Sequence, residues 1–354
     1  MIADRSVFDD TWSPDHLLHR DAAVDQLSSA VVPSRLQRRG QDVLISGPPG
    51  VGKSVLARHT LSQLADDAGI QWTRVECMGQ TTAGIIREVL AAIGPRPARN
   101  TPREDLALSL RERVDEPLAV VLDEAAEVHD TKALERLADV EAISLVVVAY
   151  DADDWLAQAP RSIAARFHGQ RIALDRYGVD ELADILEPRV ATGLERQVLS
   201  RQQLERIADD VAGVARHGIY SVLAAAELAV DRGHYTVREM DVDDAYDVAR
   251  EWMRQAALDS LALHHHVLYE LVREAGTISG EALHRRYETV ADGVYQGRQR
   301  QPLSERSQRR KLAKLVEYDL IEREGASRDR SYSVLDEAVR SAYDLGVAVE
   351  DPDM

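Results

Sequence analysis

Residues 43–54 read Val43-Leu44-Ile45-Ser46-Gly47-Pro48-Pro49-Gly50-Val51-Gly52-Lys53-Ser54, an apolar strand running straight into G-x-x-x-x-G-K-[ST]. Each part of that pattern has a mechanical reason. Glycines at 47, 50 and 52 let the backbone curl so that successive N–H groups point inward at phosphate oxygens. Lys53 brings a point charge to the β- and γ-phosphates, and Ser54 offers a hydroxyl to a magnesium ion. A helix expected from Ser54 to about Asp67 aims its positive end at the same anion. The residues expected to touch nucleotide are therefore Gly47, Pro48, Pro49, Gly50, Val51, Gly52, Lys53, Ser54 and Val55.

Downstream, Leu118-Ala119-Val120-Val121-Leu122-Asp123-Glu124 is an apolar strand ending in two acids. Alone, that reads as a strand-end turn. About 70 residues after a phosphate loop, the acids take distinct expected roles at the carboxyl end of a parallel strand. Asp123 orients Mg²⁺ together with Ser54, partly through water, and Glu124 polarises the water that attacks the γ-phosphate. The expected cofactors are ATP or ADP with Mg²⁺. Both motifs together give the layout of the AAA+ branch of P-loop ATPases.

Composition narrows the class. The 354 residues, 45% hydrophobic, can fill two or three packed cores. Cys77 is the only cysteine, which excludes an internal disulfide and a cysteine-based zinc cluster and suits a reducing compartment. The longest apolar runs are strand-sized, and Asp4, Asp9 and Asp10 make the first residues unlike a signal peptide. A soluble, cytoplasmic, nucleoid-associated protein with no membrane partner is expected. Net charge is −18, yet only Lys53, Lys132, Lys311 and Lys314 are lysines; the other 39 of the 43 basic residues are arginines. Such an acidic, lysine-poor surface resembles that of proteins from salt-accumulating halophiles; arginine codons of a GC-rich genome are the alternative. The charge is uneven, because His284–Lys314 holds nine basic residues against Glu288, Asp292 and Glu305, so that +6 there faces −24 elsewhere. That asymmetry points to a nucleic-acid contact surface.

Strands at Gln71–Cys77, Leu118–Leu122, Ser144–Ala149 and Arg171–Leu174 alternate with helices such as Ile85–Ile93 and one capped by Thr101-Pro102. This predicts a parallel sheet covered on both faces, within a base domain over 1–174. From Val179 to about Leu263 the period is helical, with breaks at Gly193, Gly213 and Gly233, which predicts an all-α lid over 175–260. The segment 261–345 reads as helices at Val267–Glu274, Ser279–Tyr287 and Ser304–Tyr318, then strands Asp319–Arg323 and Arg330–Val334 about Gly325. Three helices and a basic wing predict a winged-helix fold whose third helix enters the major groove. Its expected DNA contacts are Arg306, Arg309, Arg310 and Lys314 on the helix, and Arg328 and Arg330 on the wing. Residues 346–354 form an acidic tail. His264-His265-His266 on a helix point in three directions, and no metal site is expected there.

From about Val7 to Val334 the chain resembles the archaeal replication initiators of the origin-recognition-complex type, the family that includes the eukaryotic cell-division-cycle loader. The resemblance rests on Ser13-Pro14-Asp15-His16-Leu17-Leu18-His19-Arg20 at the adenine side, both nucleotide motifs, and Arg74-Val75-Glu76-Cys77. It also rests on Asp175-Arg176-Tyr177-Gly178 onward to Arg189, similar to the start of the family's lid, and on Gly213-Val214-Ala215-Arg216, similar to its sensor-2 motif. By this resemblance Tyr177 and Arg189 contact nucleotide and Arg216 reaches the γ-phosphate. It implies a protein that recognises duplex DNA at replication origins, recruits or loads the minichromosome-maintenance helicase, and self-associates on DNA. The chain departs from the pattern at sensor 1, where Tyr150, followed by Asp151, stands in place of an asparagine, and at the arginine finger, which is either Arg161 or Arg166. The segment Ala125–Ile143 is also short, so the family's DNA-touching insertion there is reduced. ATP binding with weak turnover, as a slow ATP/ADP switch, is expected. A nucleotide-gated transcription regulator and an ATPase subunit of a plasmid or mobile element are the alternatives.

Overall fold

The computed structural model describes every residue except 34–38, 79, 126–130, 196–197, 298–300, 326–329 and 344–354. Two compact units emerge, Met1–Tyr246 and Asp247–Met354. No helix among the described residues is long and apolar enough to cross a membrane.

In the first unit, α1 (Asp21–Val31) leads to β1 (Val43–Ser46), α2 (Lys53–Ala68), β2 (Gln71–Glu76), α3 (Thr82–Ala92), α4 (Arg103–Arg113) and β3 (Leu118–Asp123). Next come α5 (Lys132–Ala138), β4 (Ile143–Ala149), α6 (Ala152–Gln158), α7 (Arg161–Ala164) and β5 (Arg171–Ala173). All five strands are parallel, in the order β2-β3-β4-β1-β5. Alternation along β1 sends Val43 and Ile45 into a core with Leu56, Leu61 and Val121, and Leu44 into another with Ile86, Leu90 and Leu122. Helices α1 and α2 close the first core, and α3, α4 and α5 the second. The α4 start differs from expectation, because Pro102 holds the cap position and no side chain caps it. Glu104 and Asp105 in the first turn compensate the open amides there.

Four helices follow: α8 (Val179–Gly193), α9 (Arg201–Asp210), α10 (Ala215–Asp231) and α11 (Glu239–Ser260). Gly213 precedes α10 at φ +74°, and a Cβ there would stand 2.0 Å from the Tyr177 carbonyl oxygen. Only glycine tolerates both conditions.

The second unit holds α12 (Leu263–Ala275), β6 (Thr277–Ser279), α13 (Gly280–Tyr295), α14 (Glu305–Glu317), β7 (Ile321–Glu324) and β8 (Ser331–Val334), with strands in the antiparallel order β6-β8-β7. This is the winged-helix arrangement. Tyr269, Tyr287, Leu268, Leu271 and Leu315 fill its centre. The three consecutive histidines are spent on packing: His264 meets the Tyr295 hydroxyl, His265 the Ala262 carbonyl, and His266 Ser341 and the Leu261 carbonyl.

One buried carboxylate ties the sheet together. Asp42, just before β1, accepts from the Leu145 amide of β4 at 2.8 Å and pairs with Arg166 and Arg39. Replacing Asp42 by alanine leaves Arg166 without its main partner and the Leu145 amide unpaired inside the fold. Denaturant unfolding of Asp42→Ala is expected to show a loss of about 3–5 kcal/mol.

Candidate functional site

Strand β1 is buried along its whole length between β4 and β5, so the chain can leave only at the carboxyl edge of the sheet. There Gly47 donates its N–H to the Tyr150 carbonyl at 3.1 Å, and a Cβ on it would lie 2.2 Å from the Leu174 carbonyl oxygen. Gly50 and Gly52 adopt φ +75° and +94°. Gly52 caps α2 with no side chain, which leaves the first-turn amides open toward the loop. The loop formed by Gly47, Pro48, Pro49, Gly50, Val51 and Gly52, continuing into Lys53, Ser54 and Val55, is thus a backbone cradle suited to phosphate. Lys53 folds back over it, donating from Nζ to the Gly47 and Pro48 carbonyls at 2.7 and 2.8 Å. Burial holds its ammonium below the usual lysine range, with Asp123 and Glu124 acting in the opposite direction.

Although β4 separates β3 from β1 in the sheet, α2 bridges the gap. Ser54 Oγ donates to Asp123 Oδ1 at 2.9 Å. The Glu124 amide donates to the same oxygen at 3.1 Å, and Arg74 of β2 pairs with Oδ2. Glu124 is exposed and sits at φ +53°, a left-handed backbone that costs a non-glycine residue on the order of 1 kcal/mol or more. Oxygen donors of the type a magnesium ion takes are present at Ser54 and Asp123, but the carboxylate is already engaged by a cation.

The lid elements meet the loop directly. The Arg216 amide, at the start of α10, donates to the Gly50 carbonyl at 3.1 Å, and the Val214 and Arg216 side chains crowd the open side of Gly50. The Arg216 guanidinium pairs with Asp10. Tyr177 exchanges a backbone bond with Gly213 at 3.0 Å, and its hydroxyl lies 3.8 Å from where a Gly52 Cβ would stand. Arg20 fixes that ring, with Nε donating to the hydroxyl at 2.8 Å and the guanidinium 4.0 Å from the ring centroid. Burial raises the Tyr177 phenol above its ordinary pKa, and Arg20 opposes this.

Other expected residues lie elsewhere. Arg189 is buried, donates to the Val7 carbonyl and stacks on Trp12 at 4.2 Å, so it anchors the amino-terminal segment and does not reach the loop with its guanidinium free. Burial brings its pKa down to about 10. Tyr150 is exposed and turns only its carbonyl to the loop, while Asp151 caps α6 through the Asp154 amide at 2.8 Å. Neither stands in for an asparagine amide. Of the two finger residues, Arg166 is locked to Asp42 and the Ala138 carbonyl. Arg161 is exposed with no ion-pair partner among the described residues.

On α14, Arg306, Arg309 and Arg310 are exposed; Arg309 pairs with Glu305, and the other two have no ion-pair partner among the described residues. Lys314 corrects the sequence reading. It is buried, with its ammonium 4.4 Å from the Tyr318 ring centroid and 3.3 Å from Glu317, so the charge is taken up within its own helix. The wing is not basic as expected: β7 carries Glu322 and Glu324 beside Arg323. Arg330 is half-buried before β8, and Arg328 lies outside the described residues, as does the expected acidic tail.

Sequence reasoning missed Arg74, Arg58 and Asp10. Arg58 on α2 donates to the Asp10 carbonyl at 3.3 Å, so Asp10 is gripped from the base and from Arg216 at once. Only the three-dimensional neighbourhood shows this, since Asp10 lies 48 residues from Arg58 and 206 from Arg216.

Comparison with known proteins agrees with this geometry. The AAA ATPase domain family matches residues 16–174. ORC1-type DNA replication protein 9 of Halobacterium salinarum is 28% identical over 347 residues, covering 96% of each chain. ORC1-type DNA replication protein 1 of the same organism is 29% identical, covering 82% of this chain and 97% of its own. In three dimensions the chain is similar to the Aeropyrum pernix ORC1 protein, solved in complex with DNA, with a TM-score of 0.77 at 20% identity over 94% of this chain and 93% of that one. The Aeropyrum pernix ORC2 protein, solved as ADPNP–ADP complexes, gives 0.62 at 22% identity over 94% of each chain. A cradle of glycine backbone, a strand-end aspartate on the loop serine and a winged helix downstream thus occur together in a chain similar to ORC1-type DNA replication proteins, with an AAA ATPase domain match over residues 16–174.

Proposed function

We propose that the protein is a nucleotide-dependent replication initiator that binds duplex DNA at origins and helps recruit or load the minichromosome-maintenance helicase. The observation that carries this reading is the junction of Gly50 with Arg216, in which the lid helix is bonded to the very loop that Lys53 and Ser54 complete. ATP or ADP is the ligand such a loop takes, and proteins of the same fold have been solved as ADPNP–ADP complexes and in complex with DNA. In this reading phosphate oxygens replace the Gly47 and Pro48 carbonyls as partners of Lys53, and the γ-phosphate draws Arg216 from Asp10. Tyr177 bounds the pocket at Gly52, and Glu124 accepts a proton from the attacking water. Ser54 and Asp123 carry the oxygens that a Mg²⁺ ion would use, but Arg74 already holds the Asp123 carboxylate. Without an asparagine at Tyr150, the attacking water lacks a paired donor and acceptor, so turnover is slow and the protein acts as a long-lived ATP/ADP switch. Arg161, exposed and without an ion-pair partner among the described residues, is the residue fit to serve a neighbouring copy on DNA.

The DNA surface is the exposed face of α14. Arg306, Arg309 and Arg310 lie together there, and α14 is the helix that a winged-helix fold inserts in the major groove. Footprinting on origin-containing DNA with ATP, across a salt series, tests the whole reading. Protection of the origin above random duplex is expected. Protection confined to promoters, with altered transcript levels and unchanged initiation, would assign the protein to gene regulation. Dependence of a plasmid or mobile element alone would assign it to that element's maintenance.

Two substitutions separate the parts. Lys53→Ala is expected to weaken ATP binding by at least about 100-fold in calorimetry, a loss of about 2.7 kcal/mol, while the far-ultraviolet circular dichroism stays unchanged. Arg306→Ala with Arg310→Ala should leave nucleotide affinity intact. It should reduce the slope of log K for DNA against log salt by about 1.8, as expected for two lost phosphate contacts.

A further inference from the structure

Strand β2 lies at the edge of the sheet, with Arg74 in register with Val121 and Glu76 with Asp123. Side chains alternate along a strand, so Trp72, Arg74 and Glu76 share one face with Val121 and Asp123. Trp72 and Val121 pack into the core that α2 covers, which makes this the face on which α2 presents Ser54. Arg74 lays Nη2 and Nε on Asp123 Oδ2 at 2.6 and 2.8 Å. The other oxygen, Oδ1, accepts from the Ser54 hydroxyl and the Glu124 amide. Each carboxylate oxygen therefore has two donors, and the charge of Asp123 is neutralised by a side chain of the same unit.

A magnesium ion at Ser54 needs that carboxylate, directly or through water, as its counter-charge, and it sheds its own water reluctantly. A guanidinium keeps its proton at any working pH. A divalent ion arriving at Ser54 thus meets a fixed positive charge in place of a bare carboxylate. Arg58 adds to this, standing near Arg74 and Asp123, with its Nε buried and without a hydrogen-bond partner among the described residues.

We propose that Arg74 is the resident counter-cation of Asp123 and makes nucleotide binding by this protein largely independent of divalent ions. The inference rests on nucleotide occupying the Gly47–Ser54 loop, with Lys53, Arg58 and Arg74 supplying charge that a magnesium ion otherwise brings. Arg74 is a positioning residue in this account, since it acts through Asp123.

Calorimetric titration of the full chain with ATP, in excess Mg²⁺ and in EDTA at one monovalent salt concentration, provides the test. For the wild type the two affinities should agree within about threefold, whereas Arg74→Val, which keeps a strand-forming side chain, should bind ATP at least about tenfold more weakly in EDTA than in Mg²⁺. Arg74→Lys should behave like the wild type, because the charge is retained. Binding of Mn²⁺ to the ATP-loaded protein, followed by electron paramagnetic resonance, should be weaker in the wild type than in Arg74→Val. A wild type that loses ATP tenfold or more in EDTA overturns the role of Arg74 while leaving the nucleotide site in place, and this result stands even where Arg74→Val fails to fold. Absence of ATP binding under both conditions overturns the nucleotide reading and this inference with it.

Discussion

Strand β1 is hydrogen-bonded on both sides and buried on both faces, so its chain has one exit and that exit must turn tightly against neighbouring backbone. Gly47 is the point where the constraint is most severe, pressed between the Leu174 carbonyl and the Tyr150 carbonyl it bonds. The elements of the first unit that carry the candidate nucleotide residues meet at the loop that this exit creates. Helix α2 begins on it, α10 is bonded to it through Gly50, and Tyr177 closes over it at Gly52. A sheet core on both sides of β1 makes the loop stiff, which is what a backbone anion site requires, because amides that had to reorganise around phosphate would lose affinity to ordering.

How well each feature could be read from the chain follows from the range of the interaction that makes it. Gly47–Ser54, the β3 acids and the helices of the second unit are local patterns and stand near where periodicity and motif put them, although α13 runs on to Tyr295 beyond the expected end at Tyr287. Arg74 was invisible because its role depends on β2 lying next to β3 and not next to β1, a fact of strand order that no local pattern encodes. Arg166 and Asp42 meet across 124 residues, so a buried structural pair could pass for one of two finger arginines. Lys314 was misassigned for a different reason. Helical spacing gives the direction of a Cβ, but the Lys314 ammonium turns back onto the Tyr318 ring and Glu317 of its own helical turn.

Arginine carries nearly all the positive charge at the site, and this fits a chain of net charge −18 with only four lysines. Guanidinium groups keep their charge under burial better than ammonium groups and fork onto a carboxylate, as Arg74 does on Asp123. The exception is Lys53, held among its own loop carbonyls and pushed below the usual lysine range by burial. A compact ammonium can hand its donors from carbonyl to phosphate without changing the loop, which a planar fork could not do in the same space.

Asp10 makes the amino-terminal segment an anchor for arginines of the first unit. Its carboxylate holds Arg216 and its carbonyl holds Arg58, while Arg189 binds the same segment at Val7 and Trp12. Three arginines from α2, α8 and α10 therefore share one short stretch of chain as their anchor. In the proposed reading, a γ-phosphate that draws Arg216 away would leave Asp10 held through its carbonyl by Arg58. The Arg216–Asp10 pair is half in solvent and easily exchanged, whereas Arg189 is buried and stacked on Trp12.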